Sequence, residues 1–250
     1  MDTGYEVFAS FYDPLTQNVD YPARATYFDS LIRQYKKSKG NVLLDLGCGT
    51  GTMAELMTEK GYDVLGVDYS CGMLNQAMNK KLEKNLPIQY VQQDMRELEL
   101  YGTVDVTLCT LDSLNHLPCL EDVQTVFQNV AKYTEHGGVF IFDMNTLYKH
   151  RNLLGNEVYV YQTDDVYCVW ENALEEDQRT VDITLELFQR VKRDTYHRQT
   201  EYVTERAYTT EEIQKSLEKA NFHILHIYAA DTEQPLQPDS DRMVVIARKE

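Results

Sequence analysis

The residues best placed to do chemistry fall in one short stretch, NVLLDLGCGTGTMAELM, residues 41–57. Asp45 interrupts a short apolar run, glycines follow at Gly47, Gly49 and Gly51, and a helical pattern begins at once. The start of a helix carries free N–H groups and a partial positive charge. Glycines in the preceding turn let a ligand lie close to the backbone. The arrangement suits a nucleotide-type cofactor, though any α/β protein can need a tight strand-to-helix turn.

The spacing narrows the choice of ligand. A phosphate-cradling P-loop needs a Lys and a Ser or Thr after its last glycine, and here Thr52 and Met53 follow Gly51. A dinucleotide fingerprint reads G-x-G-x-x-G, whereas this chain reads G-x-G-x-G, with an acid two residues before the first glycine. That acid would repel a pyrophosphate and attract an ammonium, which favours S-adenosyl-L-methionine. Asp68 closes the second strand pattern, VLGVD, where a carboxylate can accept hydrogen bonds from ribose hydroxyls. Asp94, in QQDM, closes the third, within reach of an adenine amino group. Three acids at successive strand ends define one edge of one sheet.

These residues need a parallel sheet to hold them, and the periodicity supplies one. Residues 1–40 read as an N-terminal helical segment, with FASFYDPL stopping at Pro14 and a second helix running to Gly40. From residue 41 strands and helices alternate: VLLDL, TMAELMTEKG, DVLGVD, SCGMLNQAMNKKLEK with Ser70 as its cap, IQYVQQD, VDVTLCT, LEDVQTVFQNVAKY and GGVFIFDMN. This predicts an α/β core over residues 41–156 with helices on both faces. At about residue 157 the period changes to two. Four strand-like runs over residues 157–207 are separated by short polar clusters, as antiparallel hairpins require. Val181, Ile183, Leu185 and Leu187 fall on one face and Asp182, Thr184 and Glu186 on the other. Residues 208–250 return to a helix, capped at Thr210, and two closing strands.

Composition bounds the function. The 250 residues carry a formal net charge of -16, a poor match for a phosphate backbone, so nucleic acid is an unfavoured partner. No apolar run is long enough for a membrane span, and the first ten residues lack a signal-peptide pattern. The five cysteines form no C-x-x-C pair, which predicts free thiols in the cytoplasm, and no metal site is expected.

VLLDLGCGTG, GVDYS, QQDM and CTLDSLNHL together resemble the successive motifs of the class I S-adenosylmethionine-dependent methyltransferases. FASFYDPL and the hairpin block after the fifth strand look like a narrower group of small bacterial members. The resemblance implies a seven-stranded, doubly wound Rossmann-like sheet with an inserted antiparallel block serving as a lid or dimer surface. It implies that Asp45, Gly47, Cys48 and Gly49 line the methionine part of the cofactor. Asp68, Tyr69 and Met73 would hold ribose and adenine, Asp94 and Met95 the adenine edge, and Leu111 would lie beside the methionine portion. Tyr12 is the candidate to fold over the methionine carboxylate.

The acceptor side is less defined. Amino-adenine methylases of the family carry a D/N-P-P-Y-type motif after the fourth strand; here that place reads LDSLNHL. It offers Asp112, Asn115 and His116 as catalytic candidates, His116 foremost because imidazole titrates near neutral pH. The hairpin block adds Tyr159, Tyr161, Tyr167, Trp170, Tyr196, Arg198, Tyr202 and Arg206, as an acceptor pocket or as sheet packing. Arg198 and Arg206 could bind an acceptor anion or pair with Glu201 and Glu205. The expected function is methyl transfer to a small-molecule acceptor by a monomer or homodimer. The alternatives are a tRNA methyltransferase and a non-catalytic protein that binds the cofactor.

Overall fold

The computed structural model describes residues 8–250. Residues 5–7 of the N-terminal helical pattern therefore lie outside the described part. Two helices come first, α1 (Ala9–Leu15) and α2 (Tyr21–Tyr35). Helix α1 runs through Pro14 to Leu15 instead of stopping at the proline. Asp20 starts α2 by accepting the Ala23 N–H at 2.9 Å.

The core alternates as the periodicity requires: β1 (Val42–Leu46), α3 (Thr52–Glu59), β2 (Asp63–Asp68), α4 (Cys71–Lys84), β3 (Gln89–Gln92), β4 (Val104–Cys109), α5 (Leu120–Tyr133) and β5 (Thr134–Asn145). After the insertion come α6 (Thr210–Lys219), β10 (Phe222–Ala229) and β11 (Arg242–Lys249). The seven strands order as β10-β11-β5-β4-β1-β2-β3. β1 pairs in parallel with both β2 and β4, while β11 is antiparallel to β5 and β10. The chain reverses its direction of travel across the sheet between β1 and β4. Ligands of open α/β sheets bind in the crevice outside the strand C-termini at such a point.

Both faces of the sheet are covered. One face packs Leu44, Leu46, Phe140 and Phe142 against Val126, Phe127 and Val130 of α5 and Leu217 of α6. The other packs Leu43, Val106, Leu108 and Ile141 against α2 and α3. Helix α6 is capped one residue earlier than its sequence suggests: Thr209, not Thr210, accepts from Glu212 N at 3.2 Å. The Glu212 carboxylate returns a bond to Thr209 N at 2.8 Å, completing a capping box.

The insertion forms a separate antiparallel sheet, β6 (Val158–Gln162), β7 (Val166–Leu174), β8 (Thr180–Lys192) and β9 (Thr195–Arg206), in that order. Val181, Ile183, Leu185 and Leu187 of β8 are buried, as the alternation demands, and pack with Phe8, Phe11 and Met73. Tyr159, Tyr161 and Trp170 join the same cluster, so they are sheet packing. Arg198 pairs with Glu186 and Arg206 with Asp177, so neither arginine meets Glu201 or Glu205.

Candidate functional site

A cavity of about 490 Å³ opens at the C-terminal ends of β1, β2 and β4, and β9 borders it on the other side. Each glycine of the opening loop has its own reason to be there. Gly47, Gly49 and Gly51 all have positive φ, a region that L side chains rarely adopt. At Gly47 a Cβ would lie 2.7 Å from Ser113 Oγ, and at Gly51 one would strike the Tyr90 hydroxyl. At Gly49 a Cβ would meet no atom of the described residues within 4 Å. Gly49 N–H instead donates to Asp68 Oδ2 at 2.8 Å, and Ser70 N–H to Asp68 Oδ1 at 2.9 Å. Asp68 thus ties the glycine loop to the start of α4.

Asp45 is 1% exposed, and its Oδ2 has no hydrogen-bond partner among the described residues. Burial first, and then the charge of Asp68, push its pKa up to about 7. A buried carboxylate oxygen without a partner is costly unless a cationic group completes it. An orphaned acid beside an open glycine backbone fits a ligand with an ammonium group and an extended main-chain-hugging part. S-adenosyl-L-methionine is such a ligand. Burial also raises the Cys48 thiol, with Asp45 and Asp68 adding to the effect, so no thiolate is available there.

Tyr12, Asp45, Gly47, Cys48, Gly49, Asp68, Tyr69, Met73, Asp94, Met95 and Leu111 all border the cavity. Asp94 is already occupied: Arg96 Nε lies 3.0 Å from both of its oxygens and Arg96 N–H donates at 2.8 Å. The arginine holds the Asp94 carboxyl below its ordinary pKa. A ligand amine would have to compete with it.

The catalytic candidates divide. His116 borders the cavity; Asp112 and Asn115 do not. Asn115 is fully buried and acts as a clip: its Nδ2 donates to Arg206 O at 2.9 Å, and its Oδ1 accepts Asn145 N–H at 2.9 Å. Asp112 accepts from Arg242 at 2.9 Å and from Asn145 Nδ2 at 2.7 Å. Burial opposes its charge, but Arg242, Lys149 and His116 outweigh that and hold it well below the usual carboxylate range. Asp112 and Asn115 are therefore corrected from chemistry to scaffold, because their polar atoms are committed to the protein.

The pattern could not reveal what holds this scaffold. Asp143 on β5, fully buried, accepts Leu111 N–H at 3.0 Å and Asp112 N–H at 2.8 Å. Arg242 and Arg24 bind its other lone pairs at 2.6 and 2.5 Å. Those two backbone bonds fix Leu111 and Asp112 in the left-handed region, at φ 56° and 57°. Two consecutive non-glycine residues there store strain, a feature that collects at functional sites. Tyr21, Ser113, Leu117, Pro118 and the β9 residues Tyr202, Val203 and Thr204 also line the cavity. Of the aromatics and arginines named in the hairpin block, only Tyr202 does so. Its alternation marked it as a strand residue, but nothing local placed it at the cavity.

Residues 43–138 match the family model described as "Methyltransferase domain". An S-adenosylmethionine-dependent methyltransferase from Clostridium acetobutylicum ATCC 824 is 31% identical, with 98% of each chain covered and a TM-score of 0.88. The YqeM protein of Bacillus subtilis (strain 168), which carries a methyltransferase name without an acceptor, is 29% identical over 98% of this chain and 97% of its own. The sugar N-methyltransferase KedS8 from Streptoalloteichus sp ATCC 53650 shares the fold at 20% identity, with 98% and 94% covered and a TM-score of 0.77. The chain belongs to the class I S-adenosylmethionine-dependent methyltransferases, and S-adenosyl-L-methionine is its cofactor.

Proposed function

We propose that this enzyme methylates a small molecule that enters between the cofactor loops and β9, with His116 receiving the proton that a neutral acceptor gives up. One observation carries the reading: Asp45, Gly49 and Asp68 line one cavity together with Tyr202, Val203 and Thr204 of β9 and with His116. Its volume is that of a site for small ligands, roughly 300–1,000 Å³. A net charge of -16 supports a small acceptor over a nucleic acid. The likeness to KedS8, a sugar N-methyltransferase, supports a small acceptor.

The cofactor supplies a methyl group already activated by a sulfonium. The protein's task is alignment and exclusion of water. Asp45 would hold the ammonium, and Asp68 the ribose hydroxyls. Tyr69, Met73, Asp94 and Met95 form the adenine side, and Tyr12, Cys48 and Leu111 the methionine side. His116 works as general base once an acceptor hydroxyl or amine lies against it. The free cysteines support a reducing, cytoplasmic setting. Among the described residues no helix is long and apolar enough to cross a membrane.

The test measures transfer of a labelled methyl group to a small-molecule fraction and, separately, to bulk RNA. Label in the small molecules supports the proposal; label only in RNA overturns it. His116→Ala should lower turnover by about 10²- to 10⁴-fold and leave S-adenosylhomocysteine affinity unchanged. Unchanged turnover removes His116 from the chemistry.

A further inference from the structure

We infer that the acceptor is bound by the main-chain edge of β9 at Tyr202 and Thr204, unpaired among the described residues, and that it carries two successive amides, the N–H of one and the C=O of the next pairing there like one residue of an added strand. This rests on the small-molecule reading above. The hydrogen-bond register of the inserted sheet carries the inference. Ala207 N–H donates to Arg179 O at 2.9 Å, in the β8–β9 register that also sets Val181 against Glu205 and Ile183 against Val203. In an antiparallel pair, hydrogen-bonding positions alternate with non-bonding ones. The odd-numbered residues of β9 therefore bond to β8, and the even-numbered ones turn their N–H and C=O outward.

Two further bonds fix that phase. Glu175 N–H reaches Thr180 O at 2.8 Å, so the even-numbered residues of β8 face β7, away from β9. Arg206 O, on the outward edge, accepts Asn115 Nδ2 at 2.9 Å. Pairing with the core stops at that clip. At Thr204 and Tyr202 the outward edge has no protein partner among the described residues, and both residues line the cavity. His116, next in sequence to the clip residue, lines it too.

An open strand edge presents N–H and C=O groups in a line, spaced by about 6.8 Å per two residues. A single trans amide turns only its N–H or its C=O to such an edge, whereas two successive amides offer the N–H of one and the C=O of the next on the same side, and so complete it. The hydroxyls of a sugar point in several directions and complete it poorly. Farther along β9, Thr200 and Arg198 turn their backbone outward as well, but they do not line the cavity. Of the outward-turned backbone of β9, only that of Tyr202 and Thr204 belongs to residues that border the cavity.

Proline tests this directly, because it removes a backbone N–H and is tolerated on the open side of an edge strand. The probes are dipeptide amides with a free amine, the matching depsipeptides with an ester in place of the amide, amino sugars and simple phenols. Each is assayed for labelled methyl transfer with the wild type, Thr204→Pro, Thr204→Ala and Thr200→Pro. The inference expects amide probes to be preferred, the ester to lose about tenfold in kcat/KM, and Thr204→Pro to lose a similar factor. Thr204→Ala, which loses a side chain bonded to Asp182 but keeps its backbone N–H, should lose less than Thr204→Pro, and Thr200→Pro, away from the cavity, should stay within about twofold. S-adenosylhomocysteine affinity should be equal in all four proteins. Ester and amide used equally, or Thr204→Pro active with normal kcat/KM, overturns the inference. Methylation of sugars or phenols but of no amide overturns it while the small-molecule reading stands. Label in RNA alone overturns both.

Discussion

Two pairs of acids, each with one member fully buried, lie at neighbouring strands of the sheet and behave in opposite ways. Asp45 and Asp68 stand on β1 and β2; Asp112 and Asp143 stand on the loop after β4 and on β5. The second pair is clasped by Arg24 and Arg242 and by backbone N–H groups, and Asp112 is held well below the usual carboxylate range. The first pair has no arginine or lysine bridged to it among the described residues, and burial pushes both pKa values up. Asp68 accepts the Gly49 and Ser70 N–H groups, while Asp45 Oδ2 has no partner among the described residues and would be completed by a cationic ligand group. The clasped pair shapes the site, and the open pair binds in it.

Breaking the clasped pair should have the largest effect. Asp143→Ala leaves two arginines buried without their shared partner and frees the Leu111 and Asp112 N–H groups. It should destabilise the fold by about 3–5 kcal/mol, measured as a shifted urea midpoint at unchanged m. A loss below about 1 kcal/mol would mean that the cluster is not structural. Asp68→Ala should act mainly on binding. Losing hydrogen bonds to a charged acceptor, about 1.5–3 kcal/mol, corresponds to roughly 10- to 100-fold weaker S-adenosylhomocysteine in calorimetric titration.

The open pair makes a signed prediction with pH. Asp45 takes up its proton below about 7 in the folded apoprotein, but only near 3.8 when unfolded. The folded state therefore binds more protons between those values, and Asp45 costs stability progressively as pH rises through that window. Asp45→Asn should then raise the melting temperature of the apoprotein at pH 8 and change it little at pH 4. Binding runs the other way. Affinity for the ammonium-bearing S-adenosylhomocysteine should tighten as pH rises through about 7, and this slope should vanish in the asparagine variant. A variant that binds more weakly and melts lower at pH 8 would break the contrast drawn between the two pairs. The smallest effect lies far from both: Thr209→Ala removes one arm of the α6 capping box and should cost about 1 kcal/mol by denaturant unfolding, with cofactor binding unchanged.

The open pair is legible in the sequence and the clasped pair is not. Asp45 and Asp68 announce themselves by position, each at the end of an apolar run and before a turn into a helix. Asp143 sits inside GGVFIFDMN, where it reads as one polar residue in a buried strand. Its partners Arg24 and Arg242 are 119 and 99 residues away, and no local pattern joins them. Asp112 and Asn115 mislead for the same reason. Their types suit chemistry, and only their bonds to Arg242, Asn145 and Arg206 reveal that they are already committed.

Hydrophobic period, helix stops and glycine spacing act over a few residues, so the sequence alone determined the alternating core, the antiparallel insertion and the cofactor edge. The roof of the cavity depended on something else. Whether β9 faces the site or the solvent follows from how two sheets pack and from which strand lies at the edge. Both are settled by contacts between residues far apart in the chain. The tertiary structure alone decided that Tyr202 and Thr204 share a cavity with His116, because strand alternation fixes which side chains share a face but not what that face or edge will meet.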